Sequence, residues 1–181
     1  MGKLFVISGS SGVGKGTVIN EFLKKHPEFK LSISCTTRSI REGEKEGVNY
    51  FFLSKDEFNN CIIKNEFLEW AEFSGNYYGT KKDFVQKCLS DGNNLILEID
   101  TKGALNVKKI MPEAILIFIA PPSIEELEAR LRGRHTETEE AIQKRLASIK
   151  SEIENSKSYD YVVINDTVDN AVKRIEEITL I

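Results

Sequence analysis

One glycine-rich stretch near the start of the chain decides the fold. It reads Gly9-Ser10-Ser11-Gly12-Val13-Gly14-Lys15-Gly16-Thr17. An apolar run at residues 4–8 precedes it, and apolar residues at helical spacing follow it. A glycine-rich turn that carries a lysine between a strand and a helix is typical of a loop that cradles phosphate groups. Its glycines let backbone N–H groups point inward, and the helix N-terminus adds positive potential.

We call residues 9–17 the phosphate loop and assign all of them to binding ATP, with Lys15 between the β- and γ-phosphates. An ordinary strand-to-helix turn would explain the glycines but not the lysine or its position. In the common motif a Ser or Thr follows the lysine and binds magnesium, whereas Gly16 stands there and Thr17 comes one residue later. This Gly-Lys-Gly-Thr variant resembles nucleoside monophosphate kinases, which implies that Mg²⁺ accompanies ATP through phosphates and water, with Thr17 as a possible direct ligand.

Strand-like and helical patterns alternate along the chain. The predicted core strands are residues 4–8, 31–34, 95–100, 115–120 and 161–165. Alternation of this kind predicts an α/β fold with a five-stranded parallel sheet, and the wholly apolar runs are its central strands. Capping boxes at residues 54–57, 123–126 and 136–139 predict three helix starts. The apolar stripe of the last helix is expected to dock on the sheet.

Composition limits the function classes. The chain has 181 residues, of which 40% are hydrophobic, so it fits one compact domain. A net charge of −3 gives no general attraction to nucleic acid or to an anionic membrane. Three separated cysteines and two histidines offer neither a disulfide framework nor a zinc site, and the first apolar run is too short for a signal peptide. We expect a cytoplasmic protein, monomeric or a small homo-oligomer, with neither a nucleic-acid nor a membrane partner.

Motifs beyond the phosphate loop point to a second nucleotide. They lie at residues 32–44, 47–52, 66–71, 75–80, 99–100, 120–123, 133–139 and 163–166. In sequence and order they resemble guanylate kinases, which are P-loop nucleoside monophosphate kinases, and the resemblance spans nearly the whole chain. It implies phosphoryl transfer from ATP to GMP, giving ADP and GDP, in purine nucleotide metabolism. It also implies a three-layer P-loop fold.

The resemblance implies the residues that hold GMP. The phosphate is assigned to Arg38, Arg41, Tyr50 and Tyr78, and the guanine ring to Ser34, Glu69, Thr80 and Asp100. Guanidinium and phenol groups suit a phosphate dianion, although two arginines can also be a solvated surface pair. The Glu69 carboxylate only accepts hydrogen bonds, which suits the N1–H and N2–H₂ donors of guanine. Taken alone, Glu69 would more often face solvent on an alternating strand.

Four arginines occupy a polar stretch that we interpret as a lid: Arg130, Arg132, Arg134 and Arg145. The resemblance implies that Arg134 and Arg145 clamp the moving phosphoryl group, that Arg130 covers adenine and that Asn165 meets the adenine edge. Arg132 has no such role and is treated as solvated. The predicted catalytic set is therefore Lys15, Arg38, Arg134 and Arg145, without a general base. Glu98 replaces the family's usual aspartate, which leaves its geometry toward magnesium or Lys15 open.

These expectations give one guanylate-kinase-like domain over residues 1–181. Its core comprises residues 1–34, 89–125 and 146–181, its GMP-binding insertion about 35–88 and its lid about 126–145. One alternative is a catalytically inactive module of the same fold that binds phosphorylated peptides. Another is a nucleoside monophosphate kinase with a different acceptor. Lys15 and the lid arginines argue against the first alternative, and Glu69 and Thr80 argue against adenine as acceptor.

Overall fold

The structure is a computed structural model that describes residues 1–10, 12–73, 75–133 and 138–180. Contacts within the chain define two compact units. Unit 1 comprises residues 1–4, 28–97 and 102–114, and unit 2 comprises residues 5–27, 98–101 and 115–181. Each unit is described by itself below. The predicted partition into core, insertion and lid stays a prediction.

The strands and helices alternate as predicted. In chain order the strands are β1 (Leu4–Gly9), β2 (Phe29–Leu31), β3 (Cys35–Thr36), β4 (Phe51–Phe52), β5 (Phe67–Phe73), β6 (Asn76–Lys81), β7 (Asn94–Glu98), β8 (Ile115–Ala120) and β9 (Tyr161–Ile164). The helices are α1 (Lys15–Lys25), α2 (Lys55–Ile63), α3 (Lys82–Ser90), α4 (Thr101–Ile110), α5 (Ile124–Gly133), α6 (Glu139–Asn155) and α7 (Val168–Thr179), with a 3₁₀ turn at Ser156–Ser158.

Five strands form a parallel sheet in the order β2-β7-β1-β8-β9, and a mixed sheet has the order β4-β3-β6-β5. This confirms the predicted fold class. The strand predicted at residues 31–34 is wrong in position, because β2 ends at Leu31. The Ser32 amide still donates to the Ile96 carbonyl at 2.9 Å, but the chain then leaves to form β3 of the mixed sheet.

The centre of unit 2 is the pair of strands β1 and β8. They run in parallel, with Val6 opposite Leu116 and Ile7 opposite Ile117, and these four side chains are completely buried. A parallel strand covered on both faces has to be apolar throughout, which explains the unbroken hydrophobic runs. Helix α7 contacts β9, as its apolar stripe predicted, and it also packs along α1.

In unit 1 the mixed sheet is built around an aromatic cluster. Phe58 of α2 stacks on Phe67 of β5 with ring centroids 4.4 Å apart, and on Tyr77 of β6 at 5.5 Å. Gly79 faces this cluster, since a Cβ atom there would lie 3.0 Å from the Phe67 ring and 3.1 Å from that of Phe58. The aromatic rings therefore fill one side of β6 and leave its other side to polar residues.

Helix starts test the capping predictions. Ser54 caps α2 as predicted, with the Glu57 amide donating to its Oγ at 3.2 Å and its own amide donating to Glu57 at 2.7 Å. These hydrogen bonds lower the pKa of Glu57. The box predicted at residues 136–139 is wrong, because α6 begins at Glu139 and its N-cap is Thr138. The Ala141 amide donates to the Thr138 hydroxyl, which already satisfies the role given to Thr136.

No helix within the described part of the chain is both long and apolar enough to cross a membrane.

The aromatic cluster predicts where the mixed sheet is vulnerable. Phe58→Ala removes a completely buried ring and is expected to lower the free energy of unfolding by about 3–5 kcal/mol. Phe73→Ala is the matched control, because that ring on β5 is 66% exposed. Its expected effect is below about 1 kcal/mol. Urea denaturation measures both variants, and equal losses would contradict the cluster's role.

Candidate active site

The phosphate loop leaves the first turn of α1 open to an anion. Gly12 and Gly14 have φ values of 81° and 89°, which an L side chain rarely adopts. Gly14 is the N-cap of α1, and no side chain caps that end. The first turn also lacks acidic residues. The N–H groups and the positive end of the helix are thus available to phosphate oxygens.

Three contacts hold this loop in place. A Cβ atom at Gly9 would lie 2.5 Å from the Ile119 carbonyl oxygen, so only glycine fits. The Val13 amide donates to the Ser10 carbonyl at 3.1 Å, and both residues are buried. The Asn165 side-chain amide donates to the Val13 carbonyl at 2.7 Å. Sequence reasoning missed this last contact, since it had placed Asn165 only at the adenine edge.

Asn165 is itself buried. The residue is 7% exposed, and its backbone amide donates to Ala120 at 2.8 Å. Its Oδ1 atom is buried and has no hydrogen-bond partner within the part of the chain that the structure describes. The role of Asn165 at the adenine edge stays a prediction.

Lys15 lies beside the carboxylate of Glu98. The Lys15 Nζ atom is 4.0 Å from Glu98 Oε1, and the lysine side chain is only 20% exposed. The same oxygen is 3.8 Å from where a Cβ atom of Gly16 would lie. Glu98 therefore borders the position that usually carries the magnesium-binding hydroxyl. Thr17 is exposed on α1, and its part in metal binding stays a prediction.

Asp100 follows the carboxyl end of β7 and is exposed. The Ser8 hydroxyl donates to the carbonyls of Ile99 and Asp100 at 2.9 and 3.2 Å, which fixes the backbone of this turn. Ligands of open parallel sheets bind outside the carboxyl ends of the strands, so the position suits a binding residue.

In unit 1 three of the four predicted phosphate ligands lie together. The Arg38 guanidinium lies 5.4 Å from the centroid of the Tyr50 ring, and the rings of Tyr50 and Tyr78 are 6.1 Å apart. Arg38 follows β3, and its amide donates to the hydroxyl of Thr36 on that strand at 3.2 Å. Arg41 is exposed, and its position relative to the acceptor stays a prediction. Arg38 pairs with the carboxylate of Glu44, to which sequence reasoning assigned no role.

The predicted guanine readers include a buried polar pair. The Thr80 hydroxyl donates to Glu69 Oε1 at 2.7 Å, and the two residues are 0% and 8% exposed. An irregularity in β5 between Phe67 and Glu69 brings Glu69 directly opposite Thr80. Thr80 and Tyr78 are two residues apart on β6 and thus share a face. Glu69 thus does not face solvent, unlike most residues of its type on an alternating strand. Ser34, the third predicted guanine reader, accepts a hydrogen bond at its carbonyl from the Phe51 amide at 2.9 Å.

The lid predictions can be followed only in part. Arg134 lies outside the described residues, as do the side chains of Arg130 and Arg145. Ser11 of the phosphate loop also lies outside them. Arg132, which was treated as solvated, is partly exposed, and it forms an ion pair with Glu128 within α5 at 2.8 Å and another with Glu139 of α6. The Arg132 guanidinium lowers the pKa of Glu139 to about 2. The pair with Glu139 thus links α5 to α6.

Comparison with known proteins identifies the family. A family model described as guanylate kinase matches residues 1–180. The chain belongs to the guanylate kinase family. A guanylate kinase from Bacillus cereus is 52% identical over 180 residues, covering 99% of this chain and 88% of the relative. The Bacillus subtilis guanylate kinase is 51% identical with the same coverage of both chains.

A solved structure shows the same fold. The crystal structure of guanylate kinase from Anaplasma phagocytophilum superposes with a TM-score of 0.80 at 33% identity, covering 98% of this chain and 84% of the other. These findings confirm the predicted family, enzyme class and activity, ATP-dependent phosphorylation of GMP. The chain is thus a phosphotransferase.

The contact between Asn165 and the phosphate loop predicts a donor-site defect. Asn165→Asp keeps the shape but replaces the donor to Val13 O by an oxygen, so it is expected to raise the KM for ATP about tenfold or more. Asn60→Asp, at an exposed position of α2, is the matched control and should leave the KM for ATP within about twofold. Steady-state kinetics with varied ATP measures both. Equal KM values in the two variants would show that the contact has no part in ATP binding.

Proposed function

We propose that this chain transfers the γ-phosphoryl group of ATP to GMP through the residues described above. The observation that carries the acceptor assignment is the buried pair of Glu69 and Thr80. A buried carboxylate needs hydrogen-bond donors, and guanine supplies two neighbouring ones, N1–H and N2–H₂. Adenine presents a lone pair at the equivalent edge, so it would leave Glu69 without that partner. A site built on such pairing rejects the wrong base more strongly than pocket size does.

The GMP phosphate is assigned to the cluster of Arg38, Tyr50 and Tyr78, with Arg41 beside it. Two hydroxyl donors and a guanidinium match the oxygens of a phosphate dianion. Ser34 and Asp100 complete the predicted acceptor site. The attacking oxygen of GMP is already anionic, so the reaction needs charge neutralisation and alignment rather than a general base.

At the donor site, the open end of α1 and Lys15 bind the phosphates of ATP. Lys15, Arg38, Arg134 and Arg145 are proposed to neutralise the charge that the transferred group carries. Asn165 holds Val13 of the phosphate loop and is proposed to meet the adenine edge, while Arg130 covers the ring. Lys15 exchanges its distant ion pair with Glu98 for the phosphate oxygens, because a 4.0 Å contact with a partly exposed carboxylate is weak.

Magnesium fits the donor site. Glu98 supplies a carboxylate oxygen near Gly16 and Lys15, and magnesium prefers oxygen ligands while keeping several waters. We propose that Glu98 holds the hydrated ion at the nucleotide phosphates, with Thr17 as the alternative ligand. Bound magnesium would neutralise phosphate charge during transfer. The cytoplasmic location and a monomeric or small homo-oligomeric state also remain proposals.

A coupled assay of ADP release tests the proposed function. With ATP and Mg²⁺, GMP is expected to be the preferred acceptor in a panel with AMP, CMP and UMP. Lys15→Met serves as the control for the donor site, since it should abolish turnover but retain GMP binding. Absence of turnover with GMP in the unaltered protein would refute the assignment, as would full activity of Lys15→Met.

The buried pair predicts a base-specific defect. Glu69→Gln keeps the shape but turns one acceptor into a donor, so kcat/KM for GMP is expected to fall about 100-fold or more. The KM for ATP should change by less than about twofold, since only the acceptor contact is lost. Glu72→Gln is the matched control, because Glu72 is exposed on the same strand. Equal losses for GMP and ATP would show that Glu69 is only structural.

A further inference from the structure

Glu44 contacts the proposed phosphate cluster with both of its carboxylate oxygens. Arg38 Nη1 donates to Glu44 Oε2 at 3.0 Å, and Nη2 donates to Oε1 at 2.8 Å. The two side chains are only 12% and 19% exposed. A two-point contact between planar groups fixes the orientation of a guanidinium as well as its position. Glu44 therefore orients Arg38, although the proposed phosphoryl transfer assigns it no role of its own.

Glu44 is held by its own turn, independently of Arg38. The Arg41 amide donates to Glu44 Oε2 at 2.8 Å, and the Glu44 amide donates to the Arg41 carbonyl at 3.0 Å. Gly43 has a φ value of 83°, which this turn needs at its third position. Backbone hydrogen bonds thus place the carboxylate, and Arg38 is oriented against it.

The geometry leaves a second edge of Arg38 for the acceptor. Glu44 uses the edge formed by Nη1 and Nη2, and Nη1 also donates to the Ser39 carbonyl at 2.7 Å. A guanidinium has another two-donor edge, formed by Nε and Nη2. The pKa of Arg38 is raised by its hydrogen bonds to Glu44 and, to a smaller extent, to Tyr78.

We propose that Glu44 is a positioning residue that braces Arg38 so that the Nε edge meets the phosphate of GMP. The inference rests on the proposed function and adds to it a residue that does not touch the substrate. Glu44 also lowers the net charge of the phosphate cluster, since it offsets one of the two positive charges of Arg38 and Arg41. That leaves GMP attracted by oriented hydrogen bonds more than by net charge.

The opposite reading is that Glu44 takes the place of the phosphate and competes with GMP. The two readings predict opposite signs, because removal of a competitor improves GMP binding and removal of a brace weakens it. The hydrogen bonds from Arg38 and from the Arg41 amide lower the pKa of Glu44. The carboxylate thus stays ionised at pH values below its usual pKa. It loses its charge only when the pH falls through this lowered pKa. The brace is therefore intact near pH 6, where the GMP phosphate itself titrates.

The test compares two variants of Glu44 with a neighbour in the same turn. Glu44→Gln keeps the shape but loses the two-point contact, so the KM for GMP is expected to rise about tenfold. Glu44→Asp keeps the charge but is shorter, and its KM should lie between those of Glu44→Gln and the unaltered protein. Glu42→Gln removes the same charge from an exposed position and should leave the KM within about twofold.

Binding of guanosine to the same samples separates positioning from folding. Guanosine lacks the phosphate, so Glu44→Gln should weaken GMP binding about tenfold and leave guanosine binding within about twofold. A lower KM for GMP in Glu44→Gln would establish the competitor instead. An unchanged KM, or equal weakening of GMP and guanosine, would overturn the brace. Failure of the unaltered protein to bind GMP would refute the proposed function as well.

Discussion

The uncapped amino end of α1 is the constraint on which the phosphate loop depends. A helix begins with backbone N–H groups that have no partner inside the helix, and proteins usually satisfy them with side chains. Here Gly14 occupies the N-cap and contributes no side chain. The loop before it has to be held from outside, by the buried approach of Gly9 to β8 and by the amide of Asn165. Packing of the loop thus replaces capping and leaves the N–H groups to phosphate.

Cations are paired with carboxylates in both parts of the proposed site. Arg38 has a close two-point partner in Glu44, whereas Lys15 has a distant one in Glu98. The difference suits the proposed roles. An arginine that must present one particular edge gains from a rigid partner, while a lysine that follows a phosphoryl group needs a partner it can leave. Arg132, by contrast, pairs with Glu128 of its own helix and with Glu139 of α6.

Sequence patterns predicted the elements whose signals are local. The apolar runs identified β1 and β8, because a strand buried on both faces tolerates few polar residues. The Ser54 capping box identified α2, since its hydrogen bonds span three residues. The start of α6 was wrong because two threonines compete as N-cap, and only the geometry of Thr138 settles the choice. The predicted end of β2 was wrong because the length of this strand depends on its pairing with β7.

By itself, the sequence determined the phosphate loop motif, the fold class and the residues proposed for the two nucleotide sites. The loop and the fold class follow from a short motif and from the periodicity of apolar residues, and the proposed site residues follow from the family resemblance. Only the tertiary structure decided how the side chains are partnered. Asn165 reaches a carbonyl 152 positions earlier in the chain, and Glu69 meets Thr80 because β5 is irregular. Such pairings depend on how strands align in space, and a hydrogen bond between distant residues leaves no periodic signal in the sequence.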